Sequence, residues 1–92
     1  MRRGPNELRV RIAPELAWQV VDGEGVIVDL PRRSMVGLSP TAAFIWSRID
    51  AATEDEIACE LARNFDVDEA RAQEDVRGFL GLLRERGFVV AS

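Results

Sequence analysis

The side chains that most often carry out catalysis are nearly absent from this sequence. Its 92 residues include no His and no Tyr, and Cys59 is its single cysteine. Triads built on His, zinc sites with Cys and His ligands, and intramolecular disulfides are therefore excluded. The acidic group Glu54, Asp55 and Glu56 fits the positive N-terminus of a helix rather than paired-carboxylate chemistry. The sequence thus predicts a protein that is not an enzyme and that has no metal or other cofactor.

The length and composition suit one compact domain. With 47% hydrophobic residues, the chain can fill one modest core. Its positively charged N-terminus leads into no apolar segment, and nowhere do 18 apolar residues follow one another. We therefore expect a cytoplasmic protein without a membrane partner. Residues 16–92 are predicted to form the domain, and residues 1–15 a flexible arm or a short edge strand.

Three strand-like segments occupy the first half of the chain. Residues 18–21 and 26–30 are rich in β-branched side chains and flank a glycine-containing turn at 22–25. A second break at 31–34 precedes a short apolar segment at 35–38. The pattern predicts a three-stranded antiparallel meander.

Two helices with clear start signals follow the meander. Ser39 is placed as an N-cap, with Pro40 at the first helical position. Thr53 and Glu56 form the T-x-x-E pattern of a capping box. We expect this second helix to end near Asn64.

A third helix is predicted to begin at a cap formed by Asp66 or Asp68 and to stop at Gly87. Its apolar residues recur at spacings of three and four, as a packed helix face requires: Val76, Phe79, Leu80 and Leu83. The predicted fold class is therefore α+β, a three-stranded antiparallel sheet followed by three helices, in a winged-helix-like order.

The third strand is the first candidate binding surface. The end strand of a meander leaves one row of N–H and C=O groups unpaired, and an extended peptide can add there as a further strand. Val36 and Leu38 should face one side, and Met35 and Gly37 the other. Met35 could instead belong to the core. In the preceding turn, Arg32 and Arg33 could attract an acidic peptide or remain solvated.

The third helix supplies the second candidate surface. With Phe79 and Leu82, the apolar face of this helix is wider than packing against the core requires. Asp75 and Arg86 project from the same edge of the helix as Leu82. A groove there would have an apolar floor and charged lips, which suit an amphipathic peptide. The alternative is that Phe79 and Leu82 complete the core and that both charges are solvated.

Three motifs in this order resemble the PqqD-like family, named after pyrroloquinoline quinone synthesis protein D. They are L-S-P-T-A-A-F-I-W at 38–46, T-x-x-E-I at 53–57 and D-V-x-x-F-L-x-x-L-x-x-x-G at 75–87. The resemblance covers residues 26–90. More broadly, this stretch is similar to the recognition elements of ribosomally made, modified peptides.

The resemblance implies three antiparallel strands, three helices and a role without catalysis. A family member binds the leader of a precursor peptide as a strand between its third strand and third helix, here residues 35–38 and 68–86. It presents the precursor to a modifying enzyme, such as a radical SAM protein or a leader peptidase. Quinone-pathway members tend to carry an L-L-x-P-E-like segment where this chain has V-D-L-P-R-R at 28–33. Quinone cofactor and lasso-type peptide biosynthesis therefore both stay open.

Two other classes compete with peptide recognition. A winged-helix protein can bind DNA, but that binding needs a basic surface, and residues 68–86 hold 4 Arg against 5 acids. We therefore expect no nucleic-acid partner. A small docking subunit of an enzyme complex would also expose apolar helix residues, and a homodimer made by strand exchange is a further possibility.

Overall fold

The computed structural model describes residues 10–91 of the chain. The elements, in chain order, are β1 (Val10–Ile12), β2 (Ala17–Val21), β3 (Glu24–Asp29), β4 (Ser34–Leu38), α1 (Pro40–Arg48), α2 (Glu54–Phe65), α3 (Glu69–Arg86) and β5 (Val89–Ala91). Strands β2, β3 and β4 form an antiparallel sheet in that order, and β1 pairs with β5 in a second, two-stranded sheet. The predicted α+β fold, a three-stranded meander followed by three helices, is confirmed.

The turn between β2 and β3 is shorter than the sequence indicated. Asp22 and Gly23 both have positive φ, 53° and 79°, as a two-residue type I′ turn requires. The prediction of a four-residue turn at 22–25 was wrong, because β3 already begins at Glu24. Gly25 lies inside the strand, where a Cβ atom would approach Leu38 Cδ1 to 3.1 Å. Close packing against Leu38 and Val20, rather than a turn, favours glycine at this position.

The first two helices begin where their capping signals predict. The Ser39 hydroxyl accepts a bond from the Ala42 backbone N–H at 3.2 Å. The Thr53 hydroxyl accepts one from the Glu56 N–H at 3.2 Å, and the Glu56 carboxylate accepts one from the Thr53 N–H at 2.8 Å. These bonds satisfy backbone donors that have no partner within the helix. The capping box is therefore confirmed.

The two alternative caps of α3 have separate roles. Asp68 is the N-cap, and its carboxylate accepts a bond from the Arg71 N–H at 2.8 Å. Asp66 has a left-handed backbone, φ 56°, and follows the end of α2 at Phe65, one residue beyond the predicted end. The two carboxylates thus mark two different helix termini.

Gly87 ends α3, as predicted. Its backbone is left-handed, φ 76°, and its N–H donates to the Arg84 carbonyl at 3.0 Å. The next N–H, of Phe88, donates to the Leu83 carbonyl at 2.9 Å. This pair of bonds is a Schellman motif, and the buried side chains of Phe88 and Leu83 supply the apolar contact that accompanies it.

The core lies between the meander and the helices and is continuous with β5. Burial of a large apolar side chain stabilises the fold by about 1.5–3 kcal/mol. The largest fully buried side chains are Trp46, Ile27, Ile45, Ile49, Ile57, Leu61 and Val76. The half-exposed Trp18 packs edge to face on Trp46, with ring centroids 5.9 Å apart.

Strand β1 is tied to the helical half of the molecule. The Ile12 N–H donates to the Asp50 carboxylate at 2.9 Å, and the Ala13 N–H donates to the Phe88 carbonyl at 2.9 Å. Strand β1 lies within the stretch predicted as an arm or edge strand. Residues 1–9 of that stretch, and residue 92, lie outside the described residues. Within residues 10–91, no helix combines the length and apolar composition needed to cross a bilayer.

Candidate peptide-binding site

Strand β4 has one free edge. It pairs with β3 on one side, and no strand among residues 10–91 pairs with its other side. A free edge presents N–H and C=O groups that can bond to another extended chain. This edge is where the sequence analysis placed the first candidate surface.

The register of the meander determines which backbone groups are available. The residues that flank the two-residue turn form a hydrogen-bonded pair, and such pairs alternate along antiparallel strands. Counted from the turn, Ile27 directs its backbone groups toward β4, where its partner is Val36. Met35 and Gly37, on either side of Val36, therefore direct their N–H and C=O groups to the free edge.

The side chains of β4 alternate between the two sheet faces, as predicted. Leu38 is buried and Val36 packs partly against the core. Met35 is 70% exposed on the opposite face. A Cβ atom at Gly37 would meet nothing within 4 Å. The free edge thus carries one flexible apolar side chain and open space beside it.

The start of β4 lies beside the end of α3. An open pocket of about 300 Å³ separates them. Its lining residues are Asp29, Arg32, Ser34, Glu85, Arg86 and Phe88. The predicted site residue Arg86 and the first residue of β4, Ser34, therefore line the same pocket.

The other predicted residues of α3 form a stripe that leads away from this pocket. At 100° per residue, Asp75, Phe79, Leu82 and Arg86 project from one edge of the helix. Leu82 is 49% exposed, whereas Phe79 packs partly against the core. Asp75 lies 3.6 Å from Arg71 on its own helix, so the structure shows it paired there rather than with β4.

Arg32 and Asp29 are prominent in the pocket. The sequence indicated Arg32, with Arg33, only as a charge that could attract an acidic peptide, and it did not indicate Asp29. The Asp29 side chain is 3% exposed and lies 3.1 Å from Nη1 of Arg32. The same Nη1 donates to the Arg86 carbonyl at 3.0 Å. The D-x-x-R spacing around Pro31 could have indicated the ion pair, but no sequence signal joins Arg32 to a residue 54 positions away.

The predicted Arg33 is exposed and has a left-handed backbone, φ 55°. Its N–H donates to the Leu30 carbonyl at 3.1 Å, which closes the turn between β3 and β4. Its place in that turn puts it next to the start of the free edge.

The titratable side chains elsewhere in the described residues include one thiol and several ion pairs. No three His, Cys, Asp or Glu residues within 10–91 are grouped so that they could hold a metal ion. The half-buried Cys59 lies 3.4 Å from Nη2 of Arg63, and this contact raises the pKa of the guanidinium. Arg48 bonds to Glu60 at 2.8 Å, which raises the pKa of Arg48 and links α1 to α2.

The fold and the free strand edge define a small, winged-helix-like α+β module, and two solved structures share this fold. One, described as TbiB1 in complex with the TbiA(beta) leader peptide, is 24% identical, covers 86% of this chain and 93% of that chain, and superposes with a TM-score of 0.79. The other is a lasso peptide synthetase B1 complexed with the leader peptide. It is 25% identical, covers 89% of this chain and 98% of that chain, and also gives a TM-score of 0.79.

The sequence itself matches a family model. The model for coenzyme PQQ synthesis protein D (PqqD) matches residues 24–89, well over half of the chain. The chain therefore belongs to the PqqD family. A search of curated proteins found no significant match.

Proposed function

We propose that this chain binds the leader of a ribosomally made precursor peptide and presents the precursor to a modifying enzyme. The leader adds as a strand to the free edge of β4. The observation that carries the proposal is the outward direction of the Met35 and Gly37 backbone groups on β4, whose first residue lines a pocket together with the C-terminal turn of α3. In strand addition, backbone bonds supply affinity and pockets for alternate side chains supply selectivity.

The proposed peptide groove runs between the free edge of β4 and the stripe on α3, and side chains on both elements determine its chemistry. Met35 on β4 and Leu82 on α3 are exposed apolar residues, and Phe79 adds partly buried apolar surface. Arg33 and Arg86 supply positive charge near the start of β4. We infer that the leader contributes apolar side chains at every second position, because successive side chains of a strand point to opposite faces.

The family and the similar structures support this function. Both similar structures contain a leader peptide, and the chain spans 93% and 98% of their lengths. The likeness to a lasso peptide synthetase B1 favours a lasso-type leader over a quinone-type leader. The enzyme partner would then be a leader peptidase, whereas a quinone-type leader implies a radical SAM protein.

The charges of α3 argue against the alternative of DNA binding. Arg71 pairs with Asp75 at 3.6 Å, and Arg77 pairs with Glu54 at 3.8 Å. DNA binding depends on cations that are available to phosphates. Two of the four Arg residues of α3 already face carboxylates, so the helix is a poor match to a duplex.

Fluorescence anisotropy with synthetic leaders tests the proposal. The probe is a labelled leader of the lasso-type precursor encoded nearest the gene, and the controls are its scrambled sequence and a quinone-type leader. We expect saturable binding of the native leader in the micromolar range or tighter and none of the scrambled one. A protein that is folded by circular dichroism yet binds no leader would overturn the proposal. If the protein binds the quinone-type leader more tightly, leader binding still holds, and only the assignment to lasso-type biosynthesis changes.

A further inference from the structure

We propose that Arg32 is a positioning residue that fixes the distance between the start of β4 and the end of α3. It would thereby set the width of the peptide groove at that end. This inference rests on the proposed leader binding, since a groove width matters only if a peptide occupies the groove.

One side chain joins two separate elements of the fold. Nη1 of Arg32 lies 3.1 Å from the Asp29 carboxylate and donates to the Arg86 carbonyl at 3.0 Å. The Arg32 backbone N–H also lies 3.4 Å from the other Asp29 oxygen. Asp29 is the last residue of β3 and Arg86 the last of α3. The guanidinium therefore connects the sheet to the helix terminus across the pocket.

Both attachment points are fixed in place. Asp29 is 2% exposed and pairs with Ser34, the first residue of β4. The Arg86 carbonyl belongs to the last turn of α3, where carbonyls have no intrahelical partner and a cation is favourable. Gly87 lies directly beside the contact, since a Cβ atom there would be 3.6 Å from Nη2 of Arg32, an ordinary van der Waals distance.

The pocket is not built as an anion site. The charge of Arg32 is opposed by the buried Asp29 carboxylate, and Glu85 next to Arg86 balances the second guanidinium. The formal charges of these four lining residues sum to zero, so the exposed Arg33 in the adjoining turn, rather than the pocket itself, would attract an acidic peptide at this end. The contribution of Arg32 is geometric, because it keeps the start of β4 and the end of α3 at a fixed distance.

Without this connection, the distance between the start of β4 and the end of α3 should vary. A smaller fraction of molecules would then have the distance at which the leader binds. Apparent affinity falls in proportion to the fraction that is competent to bind.

A single nitrogen, Nη1 of Arg32, contacts both acceptors. The Arg32→Gln variant removes the charge and ends two bonds nearer the backbone than Nη1. The Arg32→Lys variant keeps the charge but ends one bond nearer the backbone, so it reaches the two acceptors less well. The matched control is Arg84→Gln, because Arg84 is exposed on α3 and projects about 200° from Leu82.

The test combines leader binding with hydrogen exchange of the peptide-free chain, at a temperature where circular dichroism shows every variant folded. We expect Arg32→Gln to weaken leader binding about tenfold, Arg32→Lys to lie between it and the parent chain, and Arg84→Gln to bind as the parent does. In the peptide-free chain, Arg32→Gln should exchange faster at residues 30–36 and 84–90, with little change in α2.

The two measurements separate this inference from the proposed function. If the parent chain binds no leader, the proposed function fails, whatever the exchange shows. If it binds, unchanged affinity of Arg32→Gln overturns the positioning role. Equally faster exchange throughout the chain also overturns it, because Arg32 would then support only global stability.

Discussion

Ile27 and Val36 pair directly across β3 and β4, and this pairing determines which backbone groups of β4 remain free. Because Val36 bonds inward, Met35 and Gly37 present their N–H and C=O groups at the open edge. The same alternation turns the Val36 side chain to the core and Met35 to the opposite face. The unpaired edge of β4 therefore has the backbone groups that the addition of a peptide strand would need.

The exposed Leu82 should contribute to binding but little to stability. We expect Leu82→Glu to weaken leader binding at least about tenfold, because a carboxylate would lose water on contact with an apolar peptide side chain. Its unfolding free energy should change by only about 0.5 kcal/mol, as for other surface substitutions. Anisotropy titration and chemical denaturation measure the two effects.

Val21→Glu is the control for this substitution. Val21 is 53% exposed, close to the 49% of Leu82, but lies on β2, at the far edge of the sheet from the free edge of β4. It should leave leader binding unchanged. Equal weakening by both substitutions would show that added charge, rather than the stripe on α3, is responsible.

The capping box should support stability without affecting the groove. Thr53→Ala removes the hydroxyl that accepts the Glu56 N–H and should cost about 1 kcal/mol. For a domain of this size, that loss lowers Tm by about 4–8 °C. Thr41→Ala, inside α1, is the control and should not destabilise, because Ala has the higher helix propensity. A normal Tm for Thr53→Ala would contradict the assigned cap, and the folded variant should bind the leader normally.

Duplex DNA should not compete with the leader. Because Arg71 and Arg77 already face carboxylates, we expect no binding of a labelled random duplex at physiological salt. Leader binding should also depend only weakly on salt, since backbone bonds and apolar contacts carry it. Tight duplex binding that weakens steeply with added salt would instead support the winged-helix alternative.

Helix termini were readable from the sequence because their signals are local. Ser39, Thr53 and Asp68 each satisfy a backbone donor within three residues, and Gly87 adopts the left-handed backbone that ends α3. Gly25 misled the prediction of β3 because glycine also serves close packing. Its position against Leu38 depends on the neighbouring strand, which a local turn pattern does not include.

The candidate site was only partly readable for a related reason. The alternation in β4 and the stripe on α3 follow from local periods of two and of 3.6 residues. The contact between Arg32 and the Arg86 carbonyl joins residues 54 positions apart. The pairing of β1 with β5 likewise joins the two ends of the described chain. Such contacts depend on the tertiary arrangement, for which a single sequence carries no local signal.

The most direct test of the strand-addition claim compares leader binding by Gly37→Pro and Gly37→Ala. Proline at an edge strand is tolerated when its missing N–H faces away from the sheet, so Gly37→Pro should fold but lose one donor to the peptide. A Cβ atom at residue 37 meets open space, so Gly37→Ala keeps the donor and should bind as the parent chain does. We predict affinity at least about tenfold weaker for the proline variant alone. A folded Gly37→Pro protein that binds the leader normally would contradict strand addition at β4.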